Sequence, residues 1–327
     1  MKAKHLALLG LLATATLMST AKAAWPDDKP IEIVVGYAPG GGTDLMARKL
    51  FPLVQKRLGP KAQFVVVNKA GASGEIGNAY VAKAAPDGYT LGIVNVPPTL
   101  YLPMIRKTQY QWEDLQLVAR IVDDPSVLVT RSDSKFDSFQ AVLAEAKKNP
   151  KTVTIGHNGE GSNGDLIMQM LRSELGVEFN GVPYKGTGPQ KIDVQGGHTP
   201  LGTVTVGEIP ELHKGVKVGQ AGLAGLKALV QFSEKRSPSM PDVPTTLELG
   251  LKVTMSSERG LGAPKGVPES IIKRLEAAIA ETLRDPEFLA SSAIDAPVIA
   301  FLSGSAWAKS LEHNRLALKK IALGNAR

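Results

Sequence analysis

The sequence predicts an α/β protein made of two lobes with a cleft between them, and three observations predict it. Strand-like and helix-like segments alternate in the early part of the chain. A similar order restarts after residue 125, and glycine-rich junctions stand where strand-like runs give way to helix-like ones. Such alternation argues for a mainly parallel sheet covered by helices. The 327 residues, 43% hydrophobic with 33 Gly and 22 Pro, are enough for about two domains and a sizeable core.

The elements follow in order. Residues 1–23 are expected to be a cleaved signal peptide: Lys2, Lys4 and His5 give a basic start, Leu6 to Met18 is apolar or small, and Ala21-Lys22-Ala23 supplies the small-x-small cleavage pattern. That run is short for a bilayer, and no other stretch approaches the ~20 apolar residues a membrane helix requires. Ile31–Tyr37 is β-rich, and Asp44–Leu58 carries apolar residues at helical spacing. Phe64–Asn68 ("FVVVN") reads as a short strand from its β-branched content. Gly77–Ala85 then reads as a helix and Thr90–Val94 as a strand.

The second unit begins with Ser126–Thr130 as a strand and Ser138–Asn149 as a helix. Thr152–Gly156 and Asp165–Leu175 repeat that pair, strand then helix. The Pro-rich Lys235–Thr245 reads as the return crossing, so residues 24–125 with 236–327 form the first expected lobe and 126–235 the second. Hinges are expected near Pro125 and Phe232–Arg236. Glu269–Leu283 and Ser305–Leu323 read as helices, and no internal repeat is visible.

In an open α/β sheet, ligands sit beyond the carboxyl ends of strands. A helix that starts there presents unpaired N–H groups and a positive dipole end, and glycine lets the backbone come close. The stretch from Pro39 through Gly40, Gly41 and Gly42 to Thr43 therefore reads as an anion cradle. It reads equally as a tight turn in which Thr43 or Asp44 caps its own helix. A phosphate guest is disfavoured: there is no Walker lysine, position 45 of the dinucleotide fingerprint is Leu, and Asp44 repels dense negative charge. A single carboxylate suits it better. "IGHNGEGSNGDL" (Ile155–Leu166) is a second such junction, and "NKAGASGEIG" (Asn68–Gly77) a third. Loops of this kind facing one another from two lobes are the arrangement of a binding protein that closes like a hinge.

Composition trims the alternatives. There is no cysteine, which removes disulfides, thiolate nucleophiles and Cys-based metal sites. Export without disulfides fits a periplasmic protein large enough to be stable on its core. The formal charge of +7 falls to about +4 once Lys2, Lys4 and Lys22 leave with the signal segment, and basic pairs are scattered. Nucleic-acid binding would need a dense basic stripe with interleaved aromatics. Ser73 ("GASGE") and Ser162 ("GSNGD") do not fit the nucleophile-elbow pattern of an exported hydrolase. His157, His198, His213 and His313 have no metal-ligand spacing, so no cofactor and no metal are expected. His157, in the second junction, is the one histidine placed to donate to a ligand. Aromatics are only 5% of the chain, few for a sugar cleft, although Tyr37, Tyr101 and Tyr184 can wall a planar ligand or simply pack.

Taken in order, "KPIEIVVGYAPGGGTDLMAR", "VVVNKAGASGEIGNAYVAKAAPDGYTLGI", "VPYKGTGP", "KRSPSMPDVPTTLELGL" and "APKGVPESIIKRLEAAIAETLRDPEF" resemble the substrate-binding proteins of tripartite tricarboxylate transporters, the TctC-like or Bug family. The resemblance covers nearly all of the mature chain. It implies a type II periplasmic binding protein of two α/β lobes, a small carboxylate ligand (an organic acid, amino acid or aromatic acid), and membrane permease subunits as partners. It also implies a monomer in the periplasm that performs no catalysis. In the family the first-strand loop holds one ligand carboxylate, partly through ordered water; here that loop is Ala38, Pro39, Gly40, Gly41, Gly42, Thr43 and Asp44. The facing loop is His157, Asn158, Gly159, Glu160, Gly161, Ser162 and Asn163.

Departures from the family pattern mark where the ligand is decided. Glu160 stands where small or apolar residues are common, Asp165 where His is frequent, and Glu258-Arg259 where a Trp-aromatic pair is usual. Asn95 replaces a hydroxyl-rich stretch, and Thr203 and Thr205 replace acidic or aromatic positions. Glu160 or Asp165 is expected to favour an amino, amide or protonated group, and Arg259 a second carboxylate through its planar fork. Rim salt bridges are the alternative for all three. Tyr37, Ser73, Asn95, Tyr184, Thr205 and Arg259 complete the candidate set. A ligand-presenting receptor for a membrane sensor kinase uses the same surfaces, and the sequence does not separate it from transport.

Overall fold

The computed structural model describes residues 25–209, 225–291 and 298–325. The expected signal peptide (1–23) and His213 lie outside the described residues. The first unit runs β1 (Ile31–Val35), α1 (Gly42–Leu58), β2 (Phe64–Asn68), α2 (Glu75–Ala82), β3 (Thr90–Val96) and α3 (Pro98–Ile105). A long strand, β4 (Leu115–Arg131), leads into α4 (Phe139–Lys148), β5 (Thr154–His157), α5 (Asn163–Leu175), β6 (Asn180–Pro183), α6 (Thr187–Gly196), β7 (Leu201–Thr205) and β8 (Leu226–Gln231). The chain ends with β9 (Ser256–Pro264), α7 (Glu269–Thr282), α8 (Pro286–Ser291), β10 (Ile299–Ser303) and α9 (Gly304–Asn325).

The strands order as β2-β1-β3-β9-β4-β7-β5-β6, with β8 and β10 also on β4. β1 pairs in parallel with β2 and β3, and β5 in parallel with β6 and β7, as the alternating pattern requires. β4 belongs to both sheets: Leu115–Pro125 pairs with β9, and Ser126–Thr130 with β7. Only Ser126–Thr130 of it reads as a strand in the sequence, because Asp123-Asp124-Pro125 looks like a break. The break is the seam. Pro125 sits where the strand passes from one sheet to the other, opposite Ser256.

One core cluster runs from the first sheet across to Val127, Val129, Val204 and Leu226 of the second, and two further clusters flank it. Apolar residues of α1 at helical spacing (Met46, Ala47, Leu50, Phe51, Val54) pack on one face of the first sheet with Ile31, Ile33 and α7. Trp307 and Leu311 of α9, with Tyr101 and Tyr110, cover its other face. The second sheet packs Phe139, Val142 and Ala146 of α4 and Ile167 and Leu171 of α5 against Ile155, Val230 and Phe232. The backbone terminates these helices where it should: Ser138 accepts from Ala141 N–H at 3.2 Å before α4, and Gly176 ends α5 in the left-handed region.

The segment between β8 and β9 packs largely on the second sheet. Val253 is fully buried beside Phe139 and Phe232, and Leu249, Leu251 and Met255 pack on that same core. Met240 and Val243 instead join the cluster that runs between the sheets, and Met255 also packs on the α9 side of the first sheet, so this segment is buried against both.

Candidate functional site

Four helices, α1, α3, α5 and α6, begin at the gap between the sheets. Residues at their starts (Gly42, Pro98, Asn163, Gly164 and Thr187) line one small hollow. Its remaining walls are Tyr37, Gly41, Thr43, Asn95, Asn158, Ser162, Thr203, Val204, Thr205, Glu208, Ser257 and Arg259. Two positions need glycine for this approach. A Cβ on Gly42 would come within 2.5 Å of Glu208 Oε1, and one on Gly164 would overlap Thr203 Oγ1.

The hollow holds a buried charge cluster. Strand alternation points Ser257 and Arg259 inward and Glu258 the other way, onto Arg120, Trp307 and Asn314. Arg259 Nη1 donates to Asp124 Oδ2 at 3.2 Å, and Nη2 to Glu208 Oε1 at 3.1 Å and Thr205 Oγ1 at 2.8 Å. Glu208 lies between the starts of α1 and α6: its Oε1 accepts from Gly42 N–H at 3.0 Å and from Thr187 Oγ1 at 3.2 Å, and its Oε2 from Thr205 N–H at 3.0 Å. Asp124 accepts further from Thr205 Oγ1 and Gly207 N–H. Burial pushes the Asp124 carboxyl up to about 6; Arg259 pulls it down, Glu208 adds to the rise, and the Thr205 and Gly207 bonds pull it down further. Burial likewise raises the Tyr37 phenol, so it stays protonated and donates to Ser73 carbonyl oxygen at 3.1 Å.

Ten sequence-predicted residues meet at this hollow: Tyr37, Gly41, Gly42, Thr43, Asn95, Asn158, Ser162, Asn163, Thr205 and Arg259. A wider crevice adjoins it and shares Tyr37 and Asn158; Ser73, Gly159, Glu160 and Tyr184 line this one, with Arg106 and Lys185. The hollow has a free volume of ~40 Å³ and the crevice ~380 Å³. The first holds about three water-sized groups, so a larger ligand has to extend into the second.

Other candidates serve the loops themselves. Asp44 turns back on its own turn, accepting from Gly40 N–H, Arg48 and Asn68; burial raises its carboxyl, but these three bonds outweigh it and hold it low. Asp165 caps the second loop through Gly161 N–H at 2.7 Å and Gln169. His157 is buried beneath that loop with Nδ1 3.1 Å from Gly159 carbonyl oxygen. Burial lowers its imidazole, although Asp165 and that carbonyl pull the other way, and the neutral ring donates from Nδ1. Glu160 is an exposed rim ion pair with Arg106 at 2.9 Å, the alternative reading of that residue. Ala38 N–H bonds Lys185 carbonyl oxygen across the lobes at 2.9 Å, beside Pro39 and Gly40. Tyr184 donates to Asp193 at 2.8 Å.

Glu208, Asp124, Thr187, Pro98, Gly164, Val204 and Ser257 were outside the sequence-predicted set. Glu208 had a readable signal: it follows the carboxyl end of β7, where ligands of α/β sheets gather. Asp124 had none, because its importance depends on which face of β9 Arg259 occupies.

The comparisons with known proteins agree with this architecture. The protein BugT of Bordetella pertussis (strain Tohama I) is similar at 35% identity over 302 residues, 90% of each chain. A solved periplasmic transporter superposes with a TM-score of 0.82 at 30% identity, covering 91% of this chain and 97% of its own. MatC of Rhodopseudomonas palustris, solved with bound malate, gives a TM-score of 0.79 at 26% identity over 90% of this chain and 98% of its own. The fold is that of a two-lobe, type II-like periplasmic binding protein. The model of the tripartite tricarboxylate transporter family receptor matches residues 46–298, so this chain belongs to that family of solute-binding receptors.

Proposed function

We propose that the protein is exported to the periplasm, closes its two lobes around a small carboxylate and delivers it to the permease subunits of a tripartite transporter. The observation that carries the carboxylate is the convergence of four helix starts on one buried hollow. The Arg259 fork is taken by Asp124, Glu208 and Thr205, so the acid group is favoured by the positive dipole end of α5, with the Ser162 hydroxyl beside it. The bound malate of MatC is consistent with this class of ligand. Mechanism follows from the lobe geometry: a ligand that touches both glycine-bent loops gains contacts that exist only when the lobes meet, and so shifts the hinge towards closure. Binding and release suffice for this task, and no bond is made or broken.

Among the described residues no helix is long and apolar enough to cross a membrane, which fits a receptor that meets its permease from outside the bilayer. Cleavage after Ala23 is part of the proposal and is checked by N-terminal sequencing of the exported protein. Calorimetry against a panel of small mono- and dicarboxylates, with small-angle scattering on the same samples, tests the whole reading. Binding with a smaller radius of gyration is expected; an acid that binds without contraction would remove the hinge mechanism. Sedimentation is expected to show a monomer.

A further inference from the structure

We infer that the hollow receives the protonated-nitrogen end of an amine-bearing small acid, with Glu208 as its counter-charge and the Asn95 and Asn158 side-chain carbonyls as acceptors. This rests on the reading of the hollow as the ligand site and goes further by stating which of its walls each end of the ligand meets.

The anion seat at the start of α1 is already filled. Glu208 takes the Gly42 N–H, and Gly42 lacks the Cβ that would exclude it. Glu208 and Asp124 together face a single guanidinium, and all three are more than nine-tenths buried. Another bare carboxylate placed here would be a third buried negative group against one positive one, and uncompensated buried charge is strongly disfavoured.

The unpaired polar atoms point the same way. Among the described residues, Asn95 Oδ1, Asn158 Oδ1 and Ser162 Oγ line the hollow, are buried and have no partner; the two amide oxygens can only accept, the Ser162 hydroxyl can accept or donate, and Arg259 Nε is an unpaired donor beside them. The Asn158 orientation follows from its neighbour. Thr187 spends its single hydroxyl proton on Glu208, so Asn158 must offer Thr187 its nitrogen and keep its oxygen for the hollow. A group rich in N–H satisfies the two amide oxygens. The acid end is left to Ser162 and the start of α5, which line the same hollow, and there the ligand's own ammonium offsets its charge.

The test compares acids with and without the amine on the full chain, freed of co-purified solute by unfolding and refolding: L-aspartate against succinate, L-glutamate against glutarate, and 4-aminobutyrate against butyrate. At least one amine-bearing acid is expected to bind about tenfold tighter than its partner, the range of a charge-assisted hydrogen bond. In Glu208→Gln that ratio is expected to fall below about threefold. Should this variant not fold, Asn158→Leu, which leaves the ion pairs intact, is expected to lose the ratio as well. Amine-free acids binding as well as their partners would overturn this inference and leave the acid-binding reading standing. No binding by any of the six would overturn both, and a ratio unchanged in the variants would overturn the assignment to these residues.

Discussion

Arg259 is the residue on which the site's electrostatics turn, because two buried carboxylates share it. Replacing it by alanine strands Asp124 and Glu208 without a counter-ion. Breaking a buried pair in this way costs ~3–5 kcal/mol, and urea denaturation of Arg259→Ala should show a loss of that order. A loss below ~1 kcal/mol would mean that solvent reaches the cluster. Asp124 gives a separate pH signature. Burial holds its folded pKa at about 6, above the ordinary 3.8, so the folded protein keeps this proton after the unfolded chain has released it. Between about pH 4 and 6, rising pH therefore favours the unfolded chain and costs stability. Melting midpoints of wild type should fall relative to Asp124→Asn across this window, and parallel profiles would contradict the assignment. In the sequence Arg259 was legible as an unusual charge beside Glu258, but which of the two faces the hollow depends on strand alternation fixed by β3 and β4. Glu160 was equally conspicuous and stands at an exposed loop tip, paired with Arg106 on the wall of the wider crevice and away from the buried cluster.

Glycine junctions were the most legible elements, because a close backbone approach is a local demand written in local residues. Gly42→Ala tests this at the start of α1. On helix propensity alone the change favours folding by roughly 1 kcal/mol, yet the new Cβ collides with Glu208 and comes within 2.9 Å of Arg259 Nη1. Calorimetry should show affinity for a bound acid falling by about tenfold or more while thermal stability changes little; unaltered affinity would show that Glu208 moves aside freely. The reading placed β2 at its observed bounds, since a β-branched run between polar residues has few other folds open to it. It shortened β4 to its second half and left β8, β9 and β10 unassigned. Those strands are specified by partners far away in the chain, and Asp124 in mid-strand makes sense only with Arg259 across the ladder.

At the scale of the molecule, the lobes are closed on one another. Ala38 bonds Lys185, Gly42 bonds Glu208, and Arg106 pairs with Glu160, each joining one lobe to the other. A Cβ built on Gly159 would lie 3.6 Å from Ser73 Cβ, within the usual disulfide span. The chain has no native cysteine to interfere. The double variant Ser73→Cys, Gly159→Cys should therefore staple the cleft under oxidising conditions, with some strain because Gly159 has φ 96°. Ligand exchange, followed by calorimetry, is expected to stop on oxidation and return on reduction. Exchange that continues in the oxidised form would show entry by a route other than lobe opening.

The shared strand has a consequence for anyone recombining relatives. Because β4 and β9 each carry their ladder up to the rung where Pro125 meets Ser256, a chimera that grafts a foreign second lobe must splice both strands at that rung. Offsetting one splice by a single residue would invert every side chain beyond it, and turn Arg259 out of the hollow while leaving each half intact on paper.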